Sequence, residues 1–256
     1  MAEKRLRKLA DVLVNYSVKV QPGDWVFITG SMVALPLYKE VYKQVLLAGG
    51  HPSVNFYADD LNELYFKHAS EEQINFVSKL QSLPYEEADV LIHLRALENT
   101  RALSGVDPAK QSQRAKATSH LMETYMRRAA AKELRWVLTE YPCLALAQEA
   151  DMSLSDYEDF VYGATYADTD DPVGEWTRIH NEQQKVVDWL EGKKIVTVKS
   201  PNADLTLSIE GRTFINSDGS NNMPSGEVFT GPVEDSANGW VRYTYPAIRN
   251  GREVEG

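Results

Sequence analysis

Apolar residues recur at Leu6, Leu9, Val12, Leu13 and Tyr16 in the opening stretch KRLRKLADVLVNYSV, the spacing of one helical face. PGDWVFITG then gives a turn, a short buried strand and a glycine stop, and LPLYKEVYKQVLLAGG reads as a helix ended by Gly49-Gly50. HPSVNFYA is a second strand, followed by two helices around LNELYFKH and EEQINFVSKLQ. ADVLIHLRA is a third strand, a long helix covers roughly Pro108 to Lys132, and LRWVLTEYP is a fourth strand closed by Pro142. Strands separated by helices predict an α/β fold whose core is a mainly parallel sheet flanked by helices, with Trp25–Gly30, Val54–Tyr57, Val90–Leu94 and Trp136–Thr139 as its strands.

The pattern then changes. SLSDYEDFVYGATY, with Ser153 as N-cap, and PVGEWTRIHNEQQKVVDWLEGK, with Pro172 in its first turn, read as helices. After Gly192 the period becomes two: KIVTVKS and ADLTLSIEG alternate apolar and polar residues, as half-buried antiparallel strands do. The expected organisation is an α/β N-terminal domain over 1–192 and a partial β-rich antiparallel segment over 193–256. Asn250-Gly251 is a two-residue hairpin signal, and only five residues follow it. A return strand that short leaves its partner's backbone groups unpaired, so the sequence is expected to be a piece of a longer protein.

Composition narrows the function. With 37 Asp plus Glu against 27 Lys plus Arg, the formal net charge is -10, which repels phosphate backbones and makes nucleic acid and anionic membranes poor partners. The amphipathic, charged start has no apolar leader core, and no run of about 18 apolar residues spans a bilayer. The single cysteine, Cys143, allows no intrachain disulfide and points to a reducing cytoplasm.

Most chemistry-bearing residues have ordinary readings. FITGSM occupies the place of a nucleotide-binding loop but lacks the glycine spacing and any Gly-Lys-Ser/Thr. His93 lies in an apolar strand and reads as a hydrogen-bonded core histidine; His120 and His180 read as helix residues, and His51 and His68 sit beside turns or caps. No histidine pair at i, i+4 and no Cys-x-x-Cys is present, so a self-contained zinc site is not visible. Cys143 reads as a small buried hydrophobe. Asp168, Asp170 and Asp171 read as acids at a helix start rather than a calcium loop. Arg101, in ENTRALSGVDP after the third strand, could face an anion or belong to a plain surface loop.

One stretch is specific. NNMPSGEVFTGP puts a lone carboxylate, Glu227, directly after a tight turn and before an apolar Val-Phe. With Asp204-Leu205-Thr206, Gly211-Arg212 and Asn222 through Pro232, the chain resembles the thermophilic metallo-aminopeptidases, the aminopeptidase T and aminopeptidase S type. VKVQPGDWVFITG, ENTRALSGVDP and DPVGEWTRI also look like the family's corresponding stretches, so the resemblance covers essentially the whole chain. It implies a metal-dependent aminopeptidase with two divalent ions per complete site (zinc, cobalt, manganese or magnesium), peptide substrates and a homodimer. Glu227 would be a metal ligand. The resemblance also implies that a second Glu, two His and an Asp complete the site; no histidine follows His180 here, so the chain is expected to be an N-terminal portion, inactive alone. A non-catalytic binding or dimerisation module is the alternative. The residues do not identify a catalytic acid or base.

Overall fold

The structure, a computed structural model, describes residues 2–243, 247–249 and 252–254. In chain order its elements are α1 (Ala2–Asp11, continued by a π-helical turn, Val12–Ser17), β1 (Trp25–Ser31), α2 (Leu35–Leu47), β2 (His51–Tyr57), α3 (Asp59–His68), α4 (Glu71–Asn75), α5 (Lys79–Glu87), β3 (Val90–Arg95), α6 (Pro108–Ala130), β4 (Arg135–Glu140), α7 (Leu144–Glu149), α8 (Leu154–Ala164) and α9 (Pro172–Leu190). Eight short strands follow: β5 (Ile195–Ser200), β6 (Ala203–Ser208), β7 (Ile215–Ser217), β8 (Asn222–Met223), β9 (Glu227–Phe229), β10 (Asn238–Val241), β11 (Ala247–Arg249) and β12 (Arg252–Val254). The chain divides into two compact units, Met1–Trp176 with Gly219–Ser225, and Thr177–Asp218 with Gly226–Gly256. The boundary expected at Gly192 falls inside the second.

The first unit is built on a five-stranded parallel sheet of order β2-β1-β3-β4-β8. All four expected core strands are present. Val26 and Ile28 of β1, Val90, Ile92 and Leu94 of β3 and Val137 of β4 are fully buried, with Leu9, Leu13, Leu37, Val41 and Val45 supplying the helical side of the core. The α2 stop follows its glycines: Gly49 has φ +84°, and Gly49 and Gly50 donate their N–H groups to Leu46 and Val45, the paired bonds of a Schellman cap. Ser153 caps α8 as expected, accepting from the Asp156 N–H.

Two local readings change, and one stretch without an expected element forms a helix. The helix expected over EEQINFVSKLQ is two helices, α4 and α5. Each starts with its own capping box, Ser70 with Gln73 and Ser78 with Gln81, and the second box opens a new helix where the apolar pattern alone suggests continuation. The apolar stretch after Cys143 forms the short helix α7. Asn222–Met223, read from sequence as part of the β-rich segment, pairs in parallel with Leu138 and Thr139 of β4 and so extends the N-terminal sheet.

The second unit contains the antiparallel sheet β5-β6-β10, the pair β7-β9 and the pair β11-β12. The hairpin turn expected at Asn250-Gly251 lies outside the described residues, between the paired Arg249 and Arg252. Ile195, Val198, Trp240 and Val241 of the three-stranded sheet are exposed.

Candidate functional site

The approach to Glu227 is fixed residue by residue. Ser17 Oγ donates to the Gly219 carbonyl at 2.7 Å, and Gly219 has φ +93°. A Cβ on Gly219 would meet Met223 Cε at 2.7 Å and Trp176 Cε3 at 3.0 Å, so the turn passes directly over two buried side chains and admits only glycine. Leu138 N–H donates to the Asn221 carbonyl at 2.8 Å, Asn221 Nδ2 donates to the Trp136 carbonyl at 3.1 Å, and Thr139 Oγ1 donates to the Met223 carbonyl at 2.7 Å. Met223 is 1% exposed and anchors the segment in the first unit's core.

In the second unit, Gly226 has φ +119° and donates to the Ser217 carbonyl at 3.0 Å, which turns the backbone into β9. Glu227 stands opposite Ser217 in the β7-β9 pair. Helix α9 holds both strands at once. The Gln183 Nε2 group donates to Asn216 Oδ1 at 2.7 Å, to the Ser217 carbonyl at 3.2 Å and to the Glu227 carbonyl at 3.2 Å. Asn216 Nδ2 reaches back to the His180 carbonyl at 3.0 Å and to Gln184 Oε1 at 3.2 Å, and His180 Nδ1 pairs with Asp218 Oδ2 at 2.7 Å. Replacing Gln183 by Ala should therefore cost about 1–2 kcal/mol of stability, read by urea unfolding. A cost near zero would mean that the strands hold their places without it.

The Glu227 carboxylate is exposed and makes no hydrogen bond or ion pair to another described residue. Arg212, one candidate for a structural partner, instead pairs with Glu234 at 2.5 Å. The Glu234 carboxyl titrates below its ordinary range through a backbone hydrogen bond and then Arg212.

The other sequence candidates keep ordinary roles. Asp171 Oδ1 accepts from the Gly174 N–H at 2.9 Å and so caps α9, and Asp170 lies 3.8 Å from Lys8. Arg101 pairs with Glu149 at 3.4 Å, and Cys143 is buried with its thiol on the Leu97 carbonyl. His93 Nε2 lies 3.4 Å from the Tyr57 hydroxyl; burial first, and Arg95 second, push its pKa below the ordinary imidazole value. His180 is more than a helix residue. Its bond to Asp218 spans 38 residues, a separation that no local periodicity reports.

Structural and catalytic zinc sites use at least three protein donors. Among the described residues no group of three or more His, Cys, Asp or Glu side chains could hold a metal. Glu227 fits as one oxygen donor, exposed, with its neighbouring backbone fixed, and the described residues do not complete a site.

Residues 2–256 match the sequence profile of the thermophilic metalloproteases (M29). The chain is 28% identical to aminopeptidase 2 of Geobacillus stearothermophilus, covering 99% of this chain and 67% of that protein. It is 21% identical to aminopeptidase T of Thermus thermophilus, again over 99% of this chain and 67% of the relative. The solved structure of wild-type AmpT from Thermus thermophilus superimposes with a TM-score of 0.82 at 19% identity, covering all of this chain and 68% of that one. The α/β architecture is therefore the fold of that protein, and the chain spans about two thirds of its relatives' length.

Proposed function

The chain belongs to the thermophilic metalloprotease family (M29), and on that premise we propose that it carries part of a metal-dependent aminopeptidase in which Glu227 is one ligand of a two-metal site. The observation that carries the assignment is the state of Glu227: an exposed carboxylate without an ion pair among the described residues, beginning a strand whose backbone is tied to α9 by Gln183. Relatives named aminopeptidases support the reaction class, cleavage of the N-terminal residue from peptides. The second carboxylate, the histidines and the aspartate of a complete site come from polypeptide other than the described residues.

Bound divalent ions would polarise the scissile carbonyl and lower the pKa of a coordinated water. The residues of this chain have a simpler task. Glu227 presents an anionic oxygen. Gln183 and Asn216 hold β9 against β7 and α9, so that the backbone carrying this carboxylate stays in one place. The exposed apolar residues Ile195, Val198, Trp240 and Val241 support the packing of further polypeptide on this unit. The outer edge of β2, where Val54 and Phe56 are exposed, suits the homodimer that belongs to this reading, as does a cytoplasmic setting for a chain with one buried free thiol.

A chromogenic amino-acid anilide assay with added zinc, cobalt, manganese or magnesium tests the proposal on the 256-residue chain. The expected result is no turnover above the buffer rate, because one carboxylate does not make a two-metal site. Turnover by this chain that disappears in Glu227→Ala would contradict the incomplete donor set while keeping the ligand. Turnover that survives Glu227→Ala would contradict the ligand as well.

A further inference from the structure

Parallel sheets covered by helices on both faces usually carry near-continuous apolar strands. One face of the five-stranded sheet follows that rule and the other does not. Asn55, Thr29 and His93 stand side by side on β2, β1 and β3, and two residues earlier Phe27, Leu91 and Trp136 form a level row. Above the β1 and β2 part of this face lies a half-open cleft of about 550 Å³, bounded by Phe27, Thr29 and Asn55 from the sheet and by Tyr85, Thr118 and Ser119 from α5 and α6. That is the size of a small-ligand site.

The lining chemistry is selective. It contains no Lys, Arg, His, Asp or Glu. The Asn55 carboxamide has two donors and an acceptor, and its one partner among the described residues is Thr29 Oγ1 at 3.5 Å, the outer limit of a hydrogen bond. The Tyr85 hydroxyl makes no hydrogen bond to another described residue, and burial raises its pKa, so it stays a donor. Aromatic rings continue away from the cleft, Tyr85 edge-on to Tyr125 at 6.3 Å and Tyr125 to Trp136 at 5.7 Å.

We propose that this cleft binds a purine base or nucleoside, with a flat, uncharged ring against Phe27 and Tyr85 and its adjacent donor and acceptor on the Asn55 carboxamide. A carboxamide matches the paired donor and acceptor of a purine edge, and a ring between aromatic walls gains by stacking. Phosphate has no place in it. No lining side chain is charged, the Arg114 guanidinium beside Gln81 is engaged by Gln81 Oε1 and the Ile74 and Phe76 carbonyls, the chain is net negative at -10, and the nearby strand-to-helix turn is closed on itself, with Ser31 Oγ accepting from the Val33 N–H. The site lies within the first unit and does not depend on the aminopeptidase reading.

Isothermal titration of the 256-residue chain with adenosine tests this. The expected result is saturable binding with Kd below ~1 mM, weakened about ten-fold or more by Asn55→Leu, abolished by Ser119→Trp, which fills the cleft from an exposed helix position, and no tighter for adenosine 5′-monophosphate. No saturable heat up to ~5 mM adenosine, affinity unchanged in both variants, or tighter binding of the monophosphate would each overturn it. Far-UV circular dichroism establishes that each variant is folded; should Asn55→Leu not fold, Ser119→Trp decides the matter.

Discussion

Glu227→Gln in the catalytically complete protein is expected to lower kcat/KM by roughly 10²-fold or more while leaving stability within about 0.5 kcal/mol. The two halves of that expectation have different causes. Activity falls because the neutral amide removes an anionic donor at the same size and shape, which disturbs both the affinity and the placement of the metal. Stability is unchanged because the carboxylate is exposed and forms no ion pair among the described residues, so folding loses nothing when its charge is removed. The competing account makes Glu227 a structural acid paired with Arg212 or Arg242. Arg212, one partner that account would need, is taken by Glu234. Urea melts beside anilide kinetics separate the two: a loss above about 1.5 kcal/mol with little change in kcat/KM would establish the structural role.

Trp176→Ala is expected to have the largest effect on the fold, about 3–5 kcal/mol. Trp176 is 1% exposed, its indole N–H donates to the Thr165 carbonyl at 3.1 Å, and its ring lies edge-on to Tyr166 at 5.6 Å. Truncation opens a cavity and leaves the Thr165 carbonyl without that donor. It also removes the ring that a Cβ on Gly219 would meet at 3.0 Å. Trp176→Phe keeps most of the ring and loses the N–H, and should cost about 1–2 kcal/mol. Unfolding followed by far-UV circular dichroism checks both. Equal losses for the two variants would mean that the hydrogen bond, not the packing, carries the contribution; a loss under ~1 kcal/mol for Ala would mean that the core closes over the gap.

The parallel sheet was legible in the sequence because its four main strands are short apolar runs separated by helical periods, and both signals are local. The split of α4 from α5 was legible too, in the repeated Ser-x-x-Gln at Ser70 and Ser78, but the apolar spacing across Phe76 and Val77 masks it. The fifth strand was not. Asn222–Met223 has no period of its own, and its place comes from the Thr139 hydroxyl and the β4 backbone more than 80 residues earlier. The same limit hid the His180–Asp218 pair, whose partners are 38 residues apart, and the role of Gln183, which reads as one more polar residue on an exposed helix face. Glu227 stood out because a glycine turn places a single charge ahead of an apolar pair. That local oddity marks a position and says nothing of the groups that meet it.

The most direct test of Glu227 as a metal ligand is anomalous diffraction at the zinc edge from crystals of protein that turns over the anilide. The account predicts a metal peak about 2.0–2.2 Å from a Glu227 carboxylate oxygen, with occupancy reduced in Glu227→Gln. Occupied metal positions that all lie more than about 4 Å from that carboxylate would contradict it.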